Sequence, residues 1–159
     1  MNDSHRFAGA IVVALVAGSL HAPAAIAQAP AVEKAQSLPT VPLTIAGRKL
    51  VAEVAATPEQ RSIGLMHRFS LQPDHGMIFI FERAEPQAFW MRNTYVPLSI
   101  AFIGADGRIL HVADMAPRDE SMHWSNGPAQ FALEMRKGWF AERGISPGDR
   151  VEGIPAVKR

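Results

Sequence analysis

Cysteine is absent from the 159-residue sequence, so disulfides, thiol catalysis, CxxC redox chemistry and cysteine zinc sites are all excluded. Neither sign of charge dominates. Sixteen Lys and Arg stand against fifteen Asp and Glu, for a formal charge of +1, and no stretch is densely basic. That balance gives no reason to expect nucleic-acid binding or strong attraction to an anionic membrane, and it suits a neutral partner or a small ligand. Beyond the first twenty residues there is no long apolar run, so no later membrane span is expected. No GxSxG, HExxH or phosphate-loop motif occurs, and there is no internal repeat.

What the sequence does contain begins with an export pattern. MNDSHR is followed by the apolar FAGAIVVALVAGSL and then by APAAIAQAP, the layout of a secretory signal peptide. Ala25 and Ala27 are small residues of the kind a signal peptidase accepts, which places cleavage near Ala27 and assigns residues 1–27 to the signal. The competing reading is a retained anchor, but the run from Phe7 to Leu20 is shorter than the roughly 20 residues of a spanning helix. The mature chain is therefore expected to be periplasmic or secreted, with no stable membrane span, and monomeric. Residues 28–40, rich in Ala, Pro, Gln and Ser, read as a disordered leader. Residues 41–159 are left as one domain, large enough for a single core.

Within that domain the signal is mostly β. The segments VPLTI, KLVAEVAA, MIFIFE, AFWMRN, LSIAFIGA, RILHVADM and PAQFALEM are rich in β-branched and aromatic residues. A last short strand follows ISPGD. Asp106-Gly107 between two apolar runs predicts a hairpin. One helix is well marked, with Thr57 as cap, Pro58 in the first position and Gln60 completing a capping box. A second, weaker helix is expected through KGWFAER, stopping at Gly144. About seven short strands and one or two short helices predict a mainly β fold, a jelly-roll-like sandwich or small barrel, in preference to a βαβ fold.

The run TPEQRSIGLMHR, then HGMIFIF, then FWMRNTYVPLSIAFIGADGRI closely resembles the bacterial and archaeal family known as domain of unknown function 192. The resemblance covers roughly residues 41–153, and the FWMRNT block is specific to it. It implies a β-rich jelly-roll-type fold and no established activity. The residues matching the family motif are Arg61, Gly64, Leu65, Met66, Arg68, Gly76, Met77, Phe89, Trp90, Met91, Asn93, Thr94, Pro97 and Leu98. Ser99 stands where the family usually has Asp, and Arg92 where Lys is common.

The FWMRNT block also carries the leading site. Read as an extended strand, it puts Phe89, Met91 and Asn93 on one face and Trp90, Arg92 and Thr94 on the other. An open second face would offer an indole platform and a guanidinium fork to a polar or sugar-like ligand, with Asn93 and Thr94 adding hydrogen bonds. A closed one would make Trp90 a cover, with Arg92 stacked on it or paired with an acid such as Glu134. Arg61 and Arg68 would share a face if the first helix continued, forming a basic patch.

Two alternatives stand beside this. His75, Met77, His111 and Met115 are imidazole and thioether groups that suit Cu(I), although methionine is also an ordinary core filler. The run from Asp114 to His123, with Asp119, Glu120 and Ser121, could supply a hydrolase base. With no catalytic motif, the sequence favours a non-enzymatic binding domain without cofactor, for a small polar or envelope-glycan ligand.

Overall fold

The computed structural model describes residues 34–156. The expected signal peptide, the first part of the leader and the last three residues lie outside the described residues. The fold is mainly β, and its strands are β1 (Thr40–Ile45), β2 (Arg48–Ala55), β3 (His75–Phe89), β4 (Leu98–Ile103), β5 (Ile109–Met115), β6 (His123–Arg136) and β7 (Val151–Glu152). Two short helices, α1 (Pro58–Ile63) and α2 (Trp139–Glu142), accompany them. The strands form one sheet in the order β5-β4-β6-β3-β2-β1-β7.

This sheet curls into a half-barrel. Its two edges are drawn together where the β7 segment pairs with β1 through Ile45 and Val151 and also reaches the β4–β5 turn. There Ile109 N–H donates to Asp149 O at 2.9 Å, and Val151 N–H donates to Gly107 O at 2.9 Å. The Asp106-Gly107 hairpin forms as its turn chemistry requires, with Gly107 at φ 80°.

Most pairings are antiparallel, but β2 and β3 run parallel. Residues 56–74, including α1, form the crossover between them, so one such connection occurs within the mainly β fold that was expected. Parallel neighbours need such a crossover, and it lays the helix over one face of the sheet. The capping box is present in full, with Thr57 Oγ1 accepting from Gln60 N–H and Gln60 Oε1 accepting from Thr57 N–H.

The concave face gathers Leu43, Ile45, Leu50, Ile78, Ile80, Ile103, Ile109, Phe131, Leu133 and Val151, from all seven strands, around the fully buried Trp139. The other face of the central strands carries Met77, Phe79, Leu98, Ile100, Phe102 and Met115, covered by Leu65, Met91 and Val96 from the connections. Every residue of β4 is therefore buried, which is why LSIAFI reads as an unbroken apolar run. Its one polar member is satisfied: Ser99 Oγ donates to Asp114 Oδ1 at 2.5 Å and accepts from Gly138 N–H at 2.9 Å.

Close packing of the two longest strands depends on Gly76. A Cβ there would lie 2.2 Å from Glu134 O and 2.3 Å from Met135 Sδ, distances no side chain tolerates.

Three expectations are corrected locally. MIFIFE and the start of AFWMRN are one 15-residue strand with bulges, not two. That strand ends at Phe89, so Trp90–Thr94 does not alternate across a sheet; Asn93 sits at φ 52° and Thr94 N–H returns to Met91 O. The end of the expected disordered leader is held in place. Gln36 Nε2 donates to Gln60 O and Gly64 O, and Leu38 N–H donates to Glu53 Oε2.

Candidate functional site

The covered convex face carries a concavity. Between α1, the second half of β3 and the loop after it lies a cavity of about 260 Å³, lined by Arg61, Leu65, Phe79, Phe81, Phe89, Trp90, Thr94 and Glu134 among others. Its aromatic walls are ordered by edge contacts. Phe89 meets Phe79 at 4.9 Å and 86°, Phe81 at 6.3 Å and 87°, and Phe102 at 5.7 Å and 69°.

Glu134 is the group that sets this cavity apart. It lies in β6 opposite Met77 of β3 and Ile100 of β4 and is only 4% exposed. No hydrogen bond or ion pair reaches its carboxyl among the described residues. Burial without a partner disfavours the charged form and pushes its pKa up to about 8. A buried polar group of this kind costs free energy unless something meets it.

Trp90, 37% exposed, lines both this cavity and an adjoining groove of about 470 Å³ bounded by Ile63, Met66, His67, Arg92 and Asn93. The Arg92 guanidinium lies 5.4 Å from the Trp90 ring. The expected stacking is therefore present, and the expected pairing of Arg92 with Glu134 is not. Thr94 is buried, with its hydroxyl donating to Arg92 O at 3.2 Å, so it braces the loop. Loop 90–97 is further tied by Met91 N–H to Asp119 O at 2.7 Å and by His67 N–H to Asn93 O at 2.8 Å.

Arg61 and Arg68 do not share a face, because α1 ends at Ile63 and Gly64 follows at φ 51°. Arg61 lines the cavity. One of its terminal nitrogens donates to Ala56 O and Ile80 O, and its guanidinium lies 5.1 Å from the Phe81 ring. Arg68 forms a two-pronged pair with Glu53 at 2.7 and 2.8 Å and donates to Gln36 O. It ties the chain before β1 to β2 and the crossover, away from the cavity lining.

The imidazole and thioether groups are not brought together. β3 and β5 are separated by β6 and β4, which sets His75 and Met77 about 14 Å from His111 and Met115 across the sheet at ordinary strand spacing. Met77 and Met115 are fully buried. His75 Nδ1 lies 2.8 Å from Pro73 O, and the His111 ring stacks over Phe102 at 6.3 Å.

In the 114–123 run, Asp119 Oδ1 accepts from Ser121 N–H at 2.9 Å, which holds its carboxyl below the usual range. His123 Nε2 is 3.8 Å from Asp119 Oδ2, beyond hydrogen-bond distance. Among the described residues no serine hydroxyl is hydrogen-bonded to His123, so a nucleophile and base pair is not assembled there.

Sequence reasoning named Trp90, Arg61 and Arg92 but treated Glu134 only as a partner for Arg92. One signal was available, a lone carboxylate inside FALEM. All five residues from Phe131 to Met135 are buried, so alternation could not tell which face the acid occupies.

The family model for domain of unknown function 192, described as Uncharacterized ACR, matches residues 41–153. The chain belongs to this family. A search of curated proteins gives no match. Among solved structures, this family member is similar to a Sinorhizobium meliloti 1021 protein provisionally described as a transcription regulator. The two share 38% identity and a TM-score of 0.72, over 74% of this chain and 96% of that one. It is also similar to a protein of unknown function from Novosphingobium aromaticivorans DSM 12444, with 40% identity and a TM-score of 0.70 over 79% of this chain and 94% of that one.

Proposed function

We propose that this DUF192 member is an exported, non-enzymatic binding domain for a small polar or envelope-glycan ligand, held at Trp90 and in the cavity beneath it. The observation that carries the reading is the combination of a preformed cavity of about 260 Å³ with aromatic walls, a cation at its side and an unpartnered carboxyl at its floor. Mostly apolar concavities with a few convergent polar groups are the usual form of small-ligand sites. The adjoining groove places the Arg92 and Trp90 pair beside it, suited to the outer part of a longer ligand.

A formal charge of +1 gives little electrostatic pull on nucleic acid and favours a small or neutral ligand.

The test is a titration of the mature domain with envelope oligosaccharides, amino sugars and amino acids, following the Trp90 indole N–H by NMR. Binding should shift that resonance and, followed by calorimetry, be lost in Trp90→Ala, while circular dichroism stays unchanged. Unfolding of the variant, or binding indifferent to it, would count against a site at Trp90.

A further inference from the structure

Resting on that binding reading and extending it to ligand class, we propose that the cavity takes a primary ammonium group, set against the Glu134 carboxylate, on a compact body enclosed by Phe79, Phe89 and Trp90. Three observations carry this beyond a generic pocket.

The first is the acid itself. Glu134 is 4% exposed and lines the cavity without a hydrogen-bond or ion-pair partner among the described residues. An ammonium offers three donors and a full charge to such a group, and a charge-assisted pair is stronger than a neutral hydrogen bond.

The second is the wall chemistry. Phe79, Phe81, Phe89 and Trp90 put four aromatic rings in the lining, beside the polar residues Arg61, Ser62, Gln87 and Thr94. Aromatic faces attract cations, and Phe81 already carries one, the Arg61 guanidinium at 5.1 Å.

The third is size. A volume of about 260 Å³ holds about eight water-sized groups, which suits an amino acid or one amino sugar residue, with any longer ligand continuing into the adjoining groove.

The charged surroundings of Glu134 are few. From β3 and β4 the opposed residues are Met77 and Ile100, and loop 90–97 presents Trp90 and Thr94 to the cavity. From α1 comes Arg61, the one other charged side chain in the lining. It is held to the wall by Ala56 O and Ile80 O and leaves its remaining donors for a carboxylate or hydroxyl elsewhere on the ligand.

Because burial keeps the empty-cavity carboxyl protonated below about pH 8, an ammonium must drive its proton into solvent on binding. Affinity should therefore rise with pH between 6 and 8, by up to about tenfold per unit, and calorimetry in buffers of different ionisation heat should detect the released proton.

The experiment is calorimetry of the wild-type mature domain with L-lysine and an aminodeoxy sugar whose amine titrates above pH 9, each beside the counterpart in which every amine is acetylated. Both amines share the chemistry proposed, and the tighter one identifies an amino acid or an amino sugar as the source. Acetylation should weaken binding by tenfold or more. Glu134→Gln should weaken the amine by a similar factor and abolish proton release. Acetylated probes that bind as well as the amines, with loss in Trp90→Ala, would overturn the ammonium assignment and leave the binding domain standing. Failure of every probe to bind would overturn both. The pH and proton-release measurements use the wild-type chain, so they decide the matter even if Glu134→Gln folds poorly.

Discussion

The two sides of the sheet treat a carboxylate in opposite ways: Asp74 is half-exposed and held by donors, whereas Glu134 is buried and has none. Where the concave core is closed, Asp74 Oδ1 accepts from Trp139 Nε1 at 2.8 Å and from Arg143 at 2.5 Å, with the Arg143 guanidinium 4.5 Å from the Trp139 ring. Those donors, the indole first, hold the Asp74 carboxyl below its ordinary range. On the convex side, Glu134 has no such partners, and its pKa moves the other way, to about 8. One acid closes a core; the other lines a cavity. The difference teaches that one side uses its acid to tie the chain together, whereas the other keeps an unpartnered acid of the kind associated with binding sites.

Breaking the closed side should have the largest effect. Trp139→Ala removes a fully buried indole and leaves Asp74 without its first donor. A loss of about 4 kcal/mol is expected, read from the midpoint of urea unfolding. A much smaller loss would mean that the concave core does not depend on this closure.

The open side should show itself in pH dependence. A raised native pKa means that the Glu134 contribution is fully present below the unfolded value near 4.5 and is lost as pH rises through about 8. The wild-type domain should therefore lose about 3 kcal/mol more than Glu134→Gln between pH 5 and pH 8. Parallel stability curves for the two proteins would remove the contrast between the faces.

A partnered group at the margin gives an intermediate case. Arg68 and Glu53 are 18% and 15% exposed in their side chains and meet in a two-pronged pair. A double-mutant cycle with Arg68→Met and Glu53→Gln should give a coupling of about 1–2 kcal/mol, and additive single effects would show that the pair is only geometric.

The smallest effect is expected at the crossover. Thr57→Ala removes one side of the capping box and should cost about 1 kcal/mol, measured by thermal unfolding. A cost above about 2 kcal/mol would imply that α1 is integral to the fold instead of a cover over the cavity.

The contrast also explains what the sequence made legible. Caps and turns are written locally. Thr57, Pro58 and Gln60 specify α1, Asp106-Gly107 specifies the hairpin, and Gly144 at φ 67° stops the chain after α2. Pairing across distance is not written locally. The parallel β2–β3 pair joins segments twenty residues apart, and nothing in KLVAEVAA or MIFIFE states the direction of their neighbours.

The site was half legible for the same reason. Trp90 and Arg92 stand out by residue type, and their stacking is a near-neighbour contact. The cavity beneath them is made by α1, β3 and β6 meeting, so Glu134 acquires its role only through strand order. Arg68 shows the reverse error, since proximity to Arg61 in sequence suggested a patch that the helix end at Ile63 dissolves.

The central claim, that an unpartnered carboxyl lines a ligand cavity on the convex face, is tested most directly by titrating Glu134 itself. The side-chain carboxyl carbon of each glutamate in the mature domain would be followed by 13C NMR from pH 3 to pH 10, with Glu134→Gln assigning the resonance. The account predicts a midpoint near 8 that falls when an amine ligand is bound. A midpoint in the ordinary glutamate range near 4.5 would show that Glu134 is solvated or paired, and would contradict it.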